Sequence, residues 1–182
     1  MRRFSSALLL APLALISCGY TPLYAPGEGA AEAAQYVQIG EIAMGTVKAT
    51  YATGMNDEHN LGHRRVAQAV AQQLKLDFPA SGPEADTLTA RINEDTGTLA
   101  VQSTAVVQRA QIVLTAFITL TSPNGHTLLH TSIASAAPYN VQATPYSTES
   151  GKNYARLTAA RNLADEISMR LALYYRTHKP TK

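Results

Sequence analysis

The most restrictive feature of the sequence is an alternation running through residues 106–120. Ala110, Ile112, Leu114, Ala116, Ile118 and Leu120 fall on one side, and Arg109, Gln111, Val113, Thr115, Phe117 and Thr119 fall on the other. A period of two sustained over that length predicts a β-strand, because successive side chains of a strand point to opposite faces. One face is fully apolar and the other is intermediate. The strand therefore belongs in a sheet that is covered by helices on its apolar side only. Ser122-Pro123-Asn124-Gly125 follows as a turn, with proline presetting φ and glycine supplying a positive one. A hairpin to a second strand over residues 126–136 is expected.

The remaining elements are read around that hairpin. Residues 36–43 alternate, with Val37, Ile39, Glu41 and Ala43 on one side and Tyr36, Gln38, Gly40 and Ile42 on the other, which predicts a short strand. Asn56-Asp57 offers an N-cap for a helix to about Leu74, whose apolar stripe is Val66, Ala67, Val70, Ala71 and Leu74. Residues 87–93 form a strand with Leu88, Ala90 and Ile92 on one face and Thr89, Arg91 and Asn93 on the other. The apolar phase then moves from even to odd positions at Leu99 and Val101. A β-bulge or a tight turn within residues 94–97 would each produce that move. Residues 138–151, rich in proline and small polar side chains, read as a loop. A helix over residues 152–176 follows, with a stripe of Leu157, Ala160, Ala164, Ile167, Leu171 and Tyr174. Leu163, Leu173 and Tyr175 lie off this stripe and suggest a second apolar surface. The order β-α-β-β-β-α predicts an α+β fold: two helices packed on one face of a mainly antiparallel four-stranded sheet.

The N-terminus has a different character. Arg2 and Arg3 precede a short apolar run over residues 7–16, which is too short for a retained spanning helix and reads as an export signal. It ends in Leu15-Ile16-Ser17-Cys18, which resembles the lipobox of bacterial lipoproteins. That resemblance implies cleavage before Cys18, with an S-diacylglycerol on its thiol and an N-acyl chain on the new amine. More than one acyl chain is what stable anchoring requires. The expected organisation is a signal over residues 1–17, a lipidated start and flexible tether over 18–35, one domain over 36–177 and a loose tail over 178–182. Removing Arg2 and Arg3 leaves thirteen basic against thirteen acidic residues. No global basic field points to nucleic acid. Cys18 is the only cysteine, so no disulfide framework is available.

After the lipobox the chain reads Cys18-Gly19-Tyr20-Thr21-Pro22-Leu23-Tyr24. This start is similar to that of one branch of the lipopolysaccharide (LPS)-assembly lipoproteins, the LptE family. The stretch Tyr154-Ala155-Arg156 through Leu163-Ala164-Asp165-Glu166-Ile167 to Arg170-Leu171-Ala172-Leu173-Tyr174-Tyr175 resembles the same branch. The resemblance implies an outer-membrane lipoprotein facing the periplasm. It implies a domain that plugs the lumen of the LptD-type β-barrel, the LPS translocon, and assists that barrel's assembly, so that LPS reaches the outer leaflet. Gly19 after Cys18, with no Asp retention signal, agrees with an outer-membrane address. An accessory lipoprotein of another lipid-transport or barrel-assembly machine would carry a similar lipobox and a similar small domain.

No catalytic constellation stands out. His59 and His63 have the i, i+4 spacing of metal ligands but no intervening Glu and no evident third ligand. His126 and His130 read as exposed hairpin residues. Asp165 and Glu166 are adjacent and point to different sides of their helix. No Gly-x-Ser-x-Gly elbow is present. The expectation is a protein that is not an enzyme and needs no cofactor or metal beyond the lipid on Cys18. Arg91 and Arg109 are candidates for contact with LPS phosphate or carboxylate groups. Gln111, Val113, Thr115, Phe117 and Thr119, uncharged but not greasy, are candidates for contact with the barrel.

Overall fold

A computed structural model describes residues 33–48, 61–79, 82–100, 108–142 and 144–178. Its elements are β1 (Val37–Lys48), α1 (Leu61–Asp77), β2 (Asp86–Ala100), β3 (Gln108–Thr121), β4 (Thr127–Val141) and α2 (Pro145–Thr177). The strands lie in the order β1-β2-β3-β4. β1 runs parallel to β2, with α1 in the connection between them, and the other two pairings are antiparallel. The predicted α+β layer is therefore the observed one, in the predicted element order.

The core lies between the sheet and the helices. Every even position of β3 from Ala110 to Leu120 is buried, beside Leu88, Ala90 and Ile92 of β2. Over them sit Val66, Val70 and Leu74 of α1, Phe78 just after it, and Ala159, Ala160, Leu163, Ala164, Ile167 and Leu171 of α2. Four of the ten buried residues of α2 are alanines, whose small side chains leave room for the helix backbone near the sheet. The hairpin forms as expected. Gly125 takes φ of +81° and its N–H donates to Ser122 O at 2.9 Å.

Five expectations change in detail. β2 has neither a bulge nor a turn within residues 94–97. Its pairing with β3 continues through Glu94↔Leu114, Asp95↔Val113, Thr96↔Ile112 and Gly97↔Gln111, and the register shifts only between Thr98 and Ala100. Glu94 and Thr96 thus hold core-side positions and are buried. β1 is longer than expected. Register shifts between Ile39 and Ile42 and between Met44 and Val47 break its alternation, so Ile39, Ile42 and Met44 all pack on the core. Pro138 lies inside β4, not in a loop, which is permitted because β4 is an edge strand of this sheet. α2 starts at Pro145, where a proline in the first turn lacks only an N–H that has no helical partner. Its buried face is a single one that includes Leu163 and Tyr175, whereas Leu157 is exposed and Tyr174 is half-buried. The buried stripe of α1 agrees with expectation except that Ala71 is half-buried, and the Asn56-Asp57 cap lies outside the described residues.

The entry of the chain is fixed at one end of the sheet. Ala33 and Val37 are buried, and Asp86 N–H donates to Tyr36 O at 2.7 Å. Tyr175, near the end of α2, stacks on Tyr36 with ring centroids 5.5 Å apart and donates its hydroxyl to Asp86 Oδ2 at 2.5 Å. Tyr174 meets Tyr175 edge-on and stacks on His178. The chain from Cys18 therefore joins the domain at the end that carries the Ser122–Gly125 turn. Arg109 is paired to Ala100 at the opposite end.

Candidate partner-binding surface

No described helix covers the second face of the sheet. Its centre is the odd-numbered side of β3: Gln111, Val113, Thr115, Phe117 and Thr119. Phe117 is 43% exposed and the other four are half-buried. The pairing surrounds them with Thr87, Thr89, Arg91 and Asn93 from β2 and with His130, Ser132, Ala134 and Ala136 from β4. The flanking β4 residues could not be assigned to this surface from the sequence alone, because the hairpin register had to be known first.

Short polar contacts fix the surface. Gln38 Nε2 donates to Thr87 Oγ1 at 2.7 Å, Thr89 Oγ1 donates to Thr119 O at 3.4 Å, and Thr119 Oγ1 lies 3.1 Å from His130 Nδ1. Gly45 of β1 has a specific role. A Cβ there would collide with Asn93 Oδ1, which accepts the Thr46 N–H at 2.9 Å. Glycine lets Asn93 lean over the bulged strand and satisfy one of its donors. Gln38, Thr87, Thr89, Asn93, Thr119 and His130 are thus engaged in hydrogen bonds within the sheet.

Arg91 and Arg109 are both exposed and both stand on this face, as expected. They do not meet. Arg91 pairs with Phe117, eight residues along β3 from Arg109, which at ~3.4 Å per residue separates them by about 27 Å. A single phosphate cannot bridge them. Asp95, opposite Val113 and exposed, lies between them on the same face. Cys18, the lipobox and His59 lie outside the described residues. No group of three or more potential metal ligands occurs among the described residues, and no described helix is long and apolar enough to cross a membrane.

The buried charge of the domain is on the other face, between sheet and helix. Arg156 of α2 donates from Nε to Glu94 Oε1 at 2.8 Å, and both side chains are nearly inaccessible. Its Nη1 donates to Asn153 Oδ1 at 3.1 Å and reaches half-exposed Glu149 at 3.4 Å. Nη2 is buried without a hydrogen-bond partner. The pair explains how a glutamate occupies a core position of β2. Its location away from the open face makes it a structural element of the domain.

Known structures share this fold. A Caulobacter crescentus CB15 protein classed as a lipoprotein superposes with a TM-score of 0.52 at 13% identity, covering 84% of this chain and 99% of that one. Rare lipoprotein B from Shewanella oneidensis superposes with a TM-score of 0.51 at 12% identity, covering 76% and 99%. No protein-family model matches the chain, and no curated protein matches it. At these identities the likeness is one of fold: the chain has the α+β fold of these lipoproteins.

Proposed function

We propose that the chain is a lipoprotein of the outer membrane, anchored through acyl chains on Cys18, whose domain plugs the LptD-type barrel of the LPS translocon and assists its assembly. The reading joins the lipobox and the LptE-like ends of the sequence to one structural observation: a sheet face left without helical cover whose central positions, from Gln111 to Thr119 on the odd side of β3, carry no charge. That combination suits a surface that is buried in a partner but also spends time in water. Large apolar patches would aggregate there, and many charges would resist burial. The length of the sheet agrees with the idea. From Thr121, near the entry of the tether, to Arg109 the strand extends about 40 Å at ~3.4 Å per residue. That exceeds the ~30 Å hydrocarbon thickness a barrel lumen must traverse. In this arrangement Arg109 stands farthest from the anchor, where a lumen could admit an LPS phosphate. No bond is made or broken by this subunit.

The test is in-cell photocrosslinking from Thr115 or Thr119, combined with Cys18→Ala. Either crosslinker should trap the LPS-translocon barrel. Cys18→Ala should abolish labelling by palmitate and lower the crosslink yield by removing the anchor. Crosslinks only to an inner-membrane transporter would replace the proposal with an accessory role in another envelope machine.

A further inference from the structure

The two edges of the sheet are built differently. β1 is broken twice in register, at Ile39/Ile42 and Met44/Val47, and a bulged strand makes a poor template for another strand. β4 has no such protection over most of its length. Its register with β3 is continuous from Gln108↔Val141 to Leu120↔Leu129, and no Lys, Arg, Asp or Glu occurs in Thr127–Val141.

Pro138 reveals which backbone groups point outward. Proline cannot donate to the ladder, so its position must be one whose N–H would face away from β3. With an unbroken register, the same parity directs the N–H and C=O of His130, Ser132, Ala134 and Ala136 outward, where they meet no strand among the described residues. The helix layer also stops short of this half of the strand. Ala137 and Tyr139 are buried, whereas Leu129 and Ile133 on the same side are only half-covered. Unpaired donors and acceptors at strand spacing, beside apolar side chains half in water, define the missing neighbour as another extended chain.

We propose that the outer edge of β4 over residues 130–136 binds an extended segment of the barrel protein as a fifth strand. The inference rests on the plug reading and names where the barrel chain pairs with the domain. His130, Ser132 and Ala134 are continuous with Thr115 and Thr119 on the open face, so a partner covering that face also reaches this edge. The added segment should alternate, with apolar side chains beside Leu129 and Ile133 and small or polar ones beside Ser132 and Ala134.

The test is residue-resolved amide hydrogen exchange on the lipidated full chain, alone and co-purified with the co-expressed LPS-translocon barrel. The Ser132, Ala134 and Ala136 amides should exchange rapidly alone and at least tenfold more slowly in the complex. Those of Thr131, Ile133 and Ser135, directed at β3, should be slow in both. Ala134→Pro, which removes an outward donor only, should lower the yield of complex at least fivefold relative to Ala134→Ser. Fast exchange at Ser132, Ala134 and Ala136 in a complex that crosslinks through Thr115 would overturn the edge pairing and leave the plug reading standing. Slow exchange in the isolated chain that deepens with protein concentration would make the occupant a second copy and overturn the proposal. Absence of any complex and of any Thr115 crosslink would overturn both readings.

Discussion

β3 presents two faces that differ in almost every respect. Toward the helices, each even position from Ala110 to Leu120 is at most 1% exposed. Toward the other side, Gln111, Val113, Thr115 and Thr119 are half-buried, three of them carrying a hydroxyl or an amide, and Phe117 is openly exposed. Both faces are made by the same stretch of chain, one residue out of phase. Stability should therefore be concentrated on one parity of residues and partner contact on the other, and substitutions at neighbouring positions should separate the two.

The largest effect is expected at Glu94, the fully buried charged residue on the dry face of β2. Glu94→Ala leaves the Arg156 guanidinium buried with only half-exposed Glu149 as a counter-charge, and should destabilise the domain by ~3–5 kcal/mol. Replacing both residues, as in Glu94→Leu with Arg156→Met, should recover most of the loss, because two apolar side chains require no pairing. Urea denaturation of the single and double variants reads the difference. A double variant no more stable than Glu94→Ala would show that the pair is not acting as a unit.

Next comes the dry face of β3. Ile112→Ala should cost ~2–5 kcal/mol, since the side chain is fully buried and its removal leaves a cavity. Val113→Thr, one residue away on the half-buried side, should cost less than ~1 kcal/mol. Equal losses would mean that the two faces are not distinguished as described.

These two strands also show how far the sequence could be read. β3 was legible because its inward positions are uniformly apolar, so pattern and burial coincide. β2 was misread at residues 94–97 because Glu94 and Thr96 sit in core positions that a polarity pattern assigns to solvent. The compensation for Glu94 comes from Arg156, sixty-two residues later, and no local rule connects them. β4 ended too early in the reading because Pro138 usually marks a loop, and only its place at the sheet edge makes it tolerable. The α2 face was shifted because it includes four alanines, which give little contrast in a hydrophobic pattern, together with Arg156 and Ser168, which a polarity pattern assigns to solvent. The open surface was half visible: the odd side of β3 was identified, but its neighbours on β4 depended on register.

A smaller effect with a pH signature is expected at the entry end. Tyr175 is held neutral by burial and by its hydrogen bond to Asp86, both of which raise its pKa well above the ordinary value of 10. Its contribution to stability is thus complete below about pH 10 and is lost as pH rises beyond it. Tyr175→Phe should cost ~1.5–3 kcal/mol at neutral pH, the range for a hydrogen bond to a charged group. It should also flatten the alkaline loss of stability, leaving the weaker slope from Tyr174, whose pKa is raised by burial and by Asp86. Thermal unfolding between pH 7 and 11 tests both statements.

The smallest effect on the fold should be the most informative about the partner. Thr115 lies mid-strand on the open face, opposite Asn93 on one side and Ala134 on the other, and is only half-buried. A lysine there can run its methylene chain over the small Ala134 side chain and keep its ammonium in water. Its effect on the isolated domain should stay within ~0.5 kcal/mol. Inside a barrel the same ammonium would lose its water, and a diagonal pairing with Asp95, two residues along β2 from the Asn93 that faces Thr115, would offset only part of that cost. Thr115→Lys should therefore leave the melting temperature of the domain nearly unchanged and reduce the yield of assembled barrel severalfold. Thr115→Ser should leave both unchanged. A Thr115→Lys chain that assembles barrel normally would show that this face remains in water, and the contrast between the two faces of the sheet would then carry no functional meaning.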